Sequence, residues 1–225
     1  MTDRPRNDLE IHALSGILQF VRYCTSIFSP RLISCEAIEN MEHANHTVAG
    51  GQRQAAVYKA KLSDIAPVFN LVQECCESGY LNNIYLFPPY LTGLAIQLFS
   101  VWLFGKIYLP TGTWHKATLY VIRHEGKFAG FILMRHLEPS GASQEIYVCA
   151  VEAKYRGKGF GKLLIQSALK NTENNTLVEA ECLPKAVAMK RLLRHLGFES
   201  INHTKATTSK NIAEKFRVSC NFKSL

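Results

Sequence analysis

The sequence lacks the cysteine patterns that hold metals or staple small secreted domains. Its seven cysteines are an odd number, stand at irregular spacing and include no Cys-x-x-Cys pair. A disulfide framework and a zinc site of the usual spacing are therefore excluded, and we expect no metal. The first ten residues carry acidic side chains before any apolar run, unlike a secretory signal. We therefore expect a cytoplasmic protein in a reducing, intracellular setting.

Residues 81–105 contain no charged side chain, that is, no Asp, Glu, Lys or Arg. Only sixteen residues separate Pro89 from Lys106, and several of them are polar or Gly. A helix that crosses a bilayer needs about 20 apolar residues. We therefore predict a buried or substrate-side helix, within an apolar helical insertion at about 81–110. Peripheral contact of residues 84–105 with a membrane remains an alternative.

Basic residues are concentrated in the last third of the chain. The net charge is +8, from 26 Lys and Arg and 18 Asp and Glu. Residues 151–225 contain 14 basic and 6 acidic side chains, and residues 1–150 contain 12 of each, so the last third carries the whole excess. Such a segment is either a solvated basic face or a site for an anionic partner. No aromatic RNA-binding platform or helix-turn-helix is present, which disfavours nucleic acid.

The pattern of apolar residues divides the chain into two parts. Residues 1–55 read as an N-terminal extension, partly helical or flexible, with a linker at 48–54. From residue 56 to 225, strand-like and helix-like segments alternate, which predicts an α/β or α+β domain. Predicted strands cover 56–62, 117–123, 128–134, 145–151, 176–182, 200–207 and 216–222. Predicted helices cover residues from 63 or 64 to 78, 162–169 and 185–196.

A glycine-rich segment between a predicted strand and a predicted helix carries the strongest chemical signal. It reads Arg-Gly-Lys-Gly-Phe-Gly-Lys from Arg156 to Lys162. Glycines let a phosphate approach the backbone, and the N-terminus of a helix favours an anion. The segment fits neither the P-loop, because Leu163 replaces Ser or Thr, nor the dinucleotide fingerprint, because Lys162 replaces Gly.

What remains is Arg-x-x-Gly-x-Gly, which resembles the acyl-CoA motif of the GNAT acetyltransferase superfamily. Val-Glu-Ala-Lys-Tyr-Arg-Gly at 151–157 and Leu-Gly-Phe at 196–198 are similar to two further segments of that superfamily. The resemblance covers about 56–222, although 81–116 match no known motif. It implies a central mixed, mostly antiparallel twisted sheet with flanking helices and a splayed pair of parallel strands.

The resemblance also implies a cofactor site between strands 145–151 and 176–182. The strand backbone would bind the pantetheine arm of acetyl-CoA, and the glycine-rich loop would bind its pyrophosphate. The implied cofactor-binding residues are Cys149, Ala150, Val151, Arg156, Gly157, Lys158, Gly159, Phe160, Gly161 and Lys162. In this superfamily an amine attacks the thioester directly, so the implied function is acetyl transfer from acetyl-CoA to a primary amine.

Such a reaction needs a base and a proton donor. Glu145 is the candidate base, because its strand resembles that of the histone-acetylating branch; a solvated Glu is the alternative. Glu179 and Glu181 are rivals on the neighbouring strand. The Tyr that often serves as the acid is replaced by Leu193, which leaves Cys182, Tyr155 or solvent.

That replacement keeps a second function open, a non-catalytic acyl-CoA-binding regulatory domain. The acceptor amine, whether a small molecule or a protein, is not predicted by any motif, and neither is the oligomeric state. Residues 62–117, the part that sets acceptor choice in the superfamily, are apolar and could form a groove for a peptide, an acyl amine or a small metabolite.

Overall fold

The computed structural model describes residues 55–109, 112–138, 141–201 and 213–220. Residues 1–54, which hold the predicted extension and linker, lie outside these ranges. So do 202–212, which hold most of one predicted strand, and 221–225, which hold the end of another.

Within the described ranges, eight strands form one mixed sheet. They are β1 (Ala55–Lys59), β2 (Lys106–Tyr108), β3 (Trp114–His124), β4 (Lys127–His136), β5 (Ser143–Val151), β6 (Leu177–Cys182), β7 (Glu199–Ser200) and β8 (Glu214–Ser219). Their order is β1-β3-β4-β5-β6-β8-β7, and β2 pairs with β3 beside this path. Of the described pairs, only β5 with β6 is parallel, and the others are antiparallel. The predicted mixed, mostly antiparallel sheet is confirmed.

Four α-helices of the described residues flank the sheet. They are α1 (Ile65–Glu77), α2 (Pro88–Phe104), α3 (Phe160–Lys170) and α4 (Val187–His195). Short 3-10 turns at Leu62–Asp64, Asn83–Leu86 and Ala153–Tyr155 precede α1, α2 and α3. The sequence predicted α1, α3 and α4 to within a few residues, but it missed the short strand β2. The predicted strand 200–207 overlaps β7 at Ser200, and most of it lies outside the described residues.

Local sequence explains two of the connections. Asp64 ends the turn before α1, where its carboxylate accepts a hydrogen bond from the Lys61 amide at 2.8 Å and pairs with Arg123. Glu125 and Gly126 form the turn between β3 and β4, and both have positive φ angles. That conformation fits the twist of a two-residue hairpin, which Gly adopts without strain.

Two apolar cores cover the two faces of the sheet. The first includes Ile132, Leu164, Ile165, Val178, Leu193 and Phe216 and lies beneath α3 and α4. The second includes Val68, Leu71, Leu94, Leu98, Val121 and Phe131 and lies beneath α1 and α2. The uncharged segment thus forms a helix that packs on the sheet. No helix of the described residues is long and apolar enough to span a membrane.

The parallel pair separates after four residues. The register runs from Ser143 opposite Leu177 to Ile146 opposite Ala180, while β5 continues to Val151 and β6 to Cys182. On the other edge of β5, Leu133 faces Val148 and Met134 faces Ile146. Tyr147 is therefore the extra residue of a β-bulge, which bends a strand locally. The predicted splayed pair is present, and its opening begins at this bulge.

Gly130 lies on β4 where the backbone of β5 approaches closely. A Cβ atom there would lie 2.5 Å from the Ala150 carbonyl oxygen and 3.0 Å from the Val151 Cα. We expect Gly130→Ala to lower the free energy of unfolding by about 1–3 kcal/mol through overpacking, as measured by chemical denaturation.

Gly93→Ala is the matched control, because a Cβ at this position in α2 would meet nothing within 4 Å. Ala is favoured over Gly in a helix, so this variant should gain about 0.5–1 kcal/mol. Equal stability of the two variants would show that the approach of β4 to β5 is not close in solution.

Candidate active site

A cavity of about 420 Å³ opens where β5 and β6 diverge. Its walls come from β5, the glycine-rich loop, the end of β6, the start of α4 and the residues that follow α1. Nine of the ten predicted cofactor residues line it: Cys149, Ala150, Val151, Arg156, Gly157, Gly159, Phe160, Gly161 and Lys162. Lys158 does not, and its ammonium lies 5.4 Å from the centre of the Tyr155 ring.

The glycine-rich loop presents a row of backbone donors. Within the described residues, the amides from Gly157 to Lys162 donate no backbone hydrogen bond; the first bond of α3 joins the Leu163 amide to the Gly159 carbonyl. Gly157 and Gly159 have φ angles of 76° and 82°, and a Cβ on either would meet nothing within 4 Å. This open cradle at a helix N-terminus suits the phosphates of a nucleotide cofactor.

The open edge of β5 continues this row of donors into the cavity. Beyond Ile146, β5 pairs with β4 on one edge only. Buried backbone amides and carbonyls that lose a ladder partner need another one. The strand is therefore suited to hydrogen-bond an extended ligand that replaces β6, which fits the amide groups of pantetheine.

Arg156 turns its side chain away from the loop. Its Nε donates to the Val151 carbonyl at 3.0 Å, and its guanidinium lies 3.6 Å from Glu74 and 5.3 Å from the centre of the Tyr80 ring. Arg156 thus joins the loop to α1 and to the chain that follows it. Its predicted part in cofactor binding consequently rests on its backbone.

Tyr80 stands at the edge of the cavity and contacts a second cation besides Arg156. The Lys185 ammonium lies 5.9 Å from the centre of its ring and donates to the Ser78 carbonyl at 2.8 Å. The loops after β5 and after β6 are thereby both connected to the end of α1. Tyr80, Leu81 and Cys75 line the cavity, yet no motif pointed to them.

Glu145 is not among the cavity-lining residues. Its carboxylate pairs with Arg135, its neighbour across β4 and β5. The Arg135 guanidinium also lies 4.7 Å from the centre of the Tyr147 ring. The candidate base is therefore held in an ion pair beside the cavity.

The two rival candidates, Glu179 and Glu181, differ in burial and in ion pairing. Glu179 is buried and pairs with Lys215 and Arg217 of β8, each at 2.6 Å. Burial alone would raise its pKa, but the hydrogen bonds from Lys215 and Arg217 hold the pKa of Glu179 below its ordinary value. Glu181 is exposed, lines the cavity and has no ion pair among the described residues. It is the one carboxylate of the cavity wall that the described residues provide.

Three cysteines line the cavity, and all are protonated at neutral pH. Burial raises the pKa of Cys149 to about 12 and that of Cys182 to about 11, and it also raises the pKa of Cys75. A thiolate is the nucleophilic form of cysteine. These side chains are therefore poorly suited to attack a thioester.

The side chains considered for the proton donor lie in different surroundings. Leu193 is buried in the core, whereas Tyr155 borders the cavity and packs against His124 and Phe160. Tyr147 lines the cavity, and its hydroxyl lies 3.1 Å from that of Tyr85. Sequence reasoning missed Tyr147, because only the bulge in β5 shows that it borders the cavity.

The described residues contain no group of three or more His, Cys, Asp or Glu side chains that could hold a metal ion. The ionisable side chains of the cavity wall besides the cysteines and tyrosines are Arg156, Lys162 and Glu181. The wall therefore combines a basic end at the glycine-rich loop with one carboxylate at the end of β6.

Comparison with known proteins gives a consistent result. The sequence model of the Acetyltransferase (GNAT) family matches residues 87–198. The L-2,4-diaminobutyric acid acetyltransferase of Wolinella succinogenes is 36% identical over 85 residues, which are 35% of this chain and 48% of the relative. The chain thus spans about half the length of this curated relative.

Solved structures share the fold at low sequence identity. The acetyltransferase yncA of Salmonella typhimurium, solved with acetyl-CoA, gives a TM-score of 0.56 at 14% identity and covers 76% of this chain and 96% of its own. The ribosomal-protein-alanine N-acetyltransferase of Brucella melitensis gives 0.55 at 17% identity, with coverage of 72% and 98%. At this identity the likeness establishes the fold.

Gly159 tests the anion cradle. We expect Gly159→Ala to raise the Kd for acetyl-CoA about tenfold or more, because a Cβ would stand among the donors and strain the left-handed backbone. Calorimetric titration measures the change.

Gly197→Ala is the matched control: Gly197 has a φ of 85°, and a Cβ there would also meet nothing within 4 Å. The Gly197→Ala variant carries the same backbone strain, but the substitution lies after α4 and outside the glycine-rich loop. Its Kd for acetyl-CoA should therefore equal that of the unmodified protein. Equal effects in both variants would show that strain, and not the cradle, governs affinity.

Proposed function

Because the chain belongs to the GNAT acetyltransferase family, we propose that it is an N-acetyltransferase that moves an acetyl group from acetyl-CoA to a primary amine. One observation carries the proposal: the open edge of β5 leads directly into six loop amides that have no backbone partner among the described residues. Together they supply donors for both the amide-rich arm and the phosphates of one extended molecule. The curated relative, an acetyltransferase of an amino acid, supports an amine acceptor.

The residues that would hold acetyl-CoA divide by chemistry. The backbone from Cys149 to Val151 would bind the pantetheine arm, and the backbone from Arg156 to Lys162 would bind the pyrophosphate. When bound, acetyl-CoA supplies the activated acetyl group. The backbone of β5 beyond the bulge at Tyr147 borders the cavity, and an amide donor there would stabilise the charge that a thioester oxygen gains during attack.

Glu181 is our proposed catalytic base. It is exposed at the end of β6, on the wall of the cavity, and its carboxylate has no cation partner among the described residues. A carboxylate so placed attracts an ammonium group and accepts a proton from it, directly or through water. Glu145 and Glu179 lie in register on adjacent strands, but each is already paired with arginine. We assign them to positioning the strands.

The attack needs no covalent enzyme intermediate. Cys149 and Cys182 keep their protons at neutral pH, because burial raises the pKa of each thiol to about 12 and about 11. We therefore propose that the amine reacts directly with the thioester. Cys182, Tyr147 and Tyr155 are the candidate donors of a proton to the departing thiolate, since all three border the cavity.

A non-catalytic acyl-CoA-binding domain is the second candidate. It is favoured by Leu193, which is fully buried and offers no acid at the position where relatives often carry Tyr. Both candidates bind acetyl-CoA. Only the enzyme releases CoA thiol in an amine-dependent reaction, so a thiol-release assay over an amine panel separates them.

The two carboxylate candidates are tested together. We expect Glu181→Gln to lower kcat/KM about 10²–10⁴-fold with an unchanged Kd for acetyl-CoA, because it removes a general base. Glu145→Gln leaves Arg135 without its partner, so it should lower thermal stability and affect activity less.

The assay is steady-state thiol release, accompanied by a melting curve for each variant. A loss of activity in Glu145→Gln alone, with a normal melting curve, would transfer the role of base to Glu145. Equal full activity in both variants would eliminate both assignments.

Cys149→Ala tests direct attack. The variant should keep kcat within about threefold, because a protonated thiol does not act as the nucleophile. Cys182→Ala serves as the companion variant on the opposite strand. Loss of turnover in Cys149→Ala, together with an acetyl group trapped on the protein by mass spectrometry, would show a covalent route instead.

A further inference from the structure

The chain that links α1 to α2 forms a wall of the cavity and continues beyond it. Tyr80 and Leu81 line the cavity directly, and the turn Asn83–Leu86 follows at once. This turn is fastened to the cavity by Tyr85, whose hydroxyl lies 3.1 Å from that of Tyr147, itself a lining residue. The turn is consequently adjacent to the cavity wall, in contact with Tyr147.

The turn directs three apolar side chains outward. Ile84, Leu86 and Phe87 are 39%, 38% and 62% exposed, while Tyr85 between them is half-buried. We call these three residues the apolar ledge. Residues 81–105 contain no charged side chain. The segment from the cavity wall at Leu81 to the end of the ledge at Phe87 is therefore uncharged.

Local hydrogen bonds keep the ledge in shape. The Asn82 carboxamide oxygen accepts from the Ile84 amide at 3.1 Å, and the Phe87 amide donates to the Ile84 carbonyl at 3.1 Å. Pro88 then begins α2 directly after the ledge. A preformed surface loses less freedom when a ligand covers it.

We propose that the ledge is an acceptor subsite and that the acceptor is a primary amine attached to an apolar group. The inference rests on the proposed function, since Glu181 would draw the ammonium while the ledge contacts the hydrocarbon. An exposed apolar surface beside a cavity marks a binding region. An acceptor with a second charged group would lose hydration against it without gaining a partner.

Two sources share this chemistry: a free alkyl- or arylalkylamine, and the N-terminus of a peptide that begins with apolar residues. The curated relative acts on diaminobutyric acid, a polar amine. An assay that includes diaminobutyrate therefore compares the proposed apolar acceptors with the polar amine named for this relative.

The experiment compares kcat/KM for 2-phenylethylamine, hexylamine, a Phe-Leu-led peptide, an Asp-Ser-led peptide and L-2,4-diaminobutyrate. We expect at least one apolar amine to exceed diaminobutyrate about tenfold or more, the effect of covering one apolar side chain. A preference for the apolar peptide alone identifies a peptide acceptor, and a preference for the free amines identifies a small molecule. A higher kcat/KM for diaminobutyrate than for all apolar amines overturns the proposal.

Variants locate the preference on the ledge. Phe87→Ser should raise the KM of the preferred apolar amine about fivefold to tenfold and leave that of diaminobutyrate unchanged. Leu62→Ser is the matched control, because Leu62 is 53% exposed in the turn before α1. Equal effects in the two variants, or an equal effect of Phe87→Ser on both classes of amine, contradict the subsite.

Failure of the underlying function has a different signature. If acetyl-CoA binds but no amine releases thiol, the transferase proposal fails. The binding of amines to the ledge can still be measured. Calorimetric titration of the same amines into CoA-saturated protein then decides: tighter binding of apolar amines, weakened in Phe87→Ser, supports the subsite. Absence of such binding overturns it.

Discussion

The separation of β5 from β6 is the constraint on which the site depends. Two parallel strands that share four register positions and then part leave backbone donors and acceptors without partners. The bulge at Tyr147 produces the opening on one strand, and the close approach at Gly130 ties that strand to β4 on its other edge. A ligand with its own amide groups can form hydrogen bonds with these unpaired backbone groups.

Charge on the sheet is arranged so that most of it stabilises the fold. Arg135, Glu145, Glu179 and Arg217 stand in register across four neighbouring strands. The two carboxylates are adjacent, and each has a guanidinium on its outer side. Paired groups of this kind hold strands in register but have little freedom to accept a proton. Glu181, beyond the last register position of the parallel pair, escapes this pairing. The carboxylate that we propose as the base thus lies just beyond the parallel pairing of β5 with β6.

Sequence predicted the parts of this molecule whose cause is local. The glycine-rich loop follows from backbone freedom, and α1 starts after a turn in which the Asp64 carboxylate accepts from the Lys61 amide. Both are where the sequence indicated. Both Glu145 and Glu181 have a basic cross-strand neighbour, Arg135 and Lys215 respectively. Arg135 pairs with Glu145, but Lys215 pairs with Glu179 and leaves Glu181 without an ion pair among the described residues. Register and side-chain contacts decide this choice of partner, and the sequence alone reveals neither. Tyr147 was missed for the same reason, because a one-residue bulge decides which side of a strand a side chain faces.

The two sides of the cavity differ because each must recognise a different kind of molecule. In our proposal the cofactor is bound through backbone amides, which a sequence with the right glycines supplies, so a short motif was enough to predict this side. In the same proposal the acceptor contacts side chains on the connection between α1 and α2, and no motif predicts them. Low identity with structural neighbours is compatible with a shared fold. The surface of the proposed acceptor side combines one carboxylate without an ion pair among the described residues, two hydrogen-bonded tyrosines and an uncharged ledge.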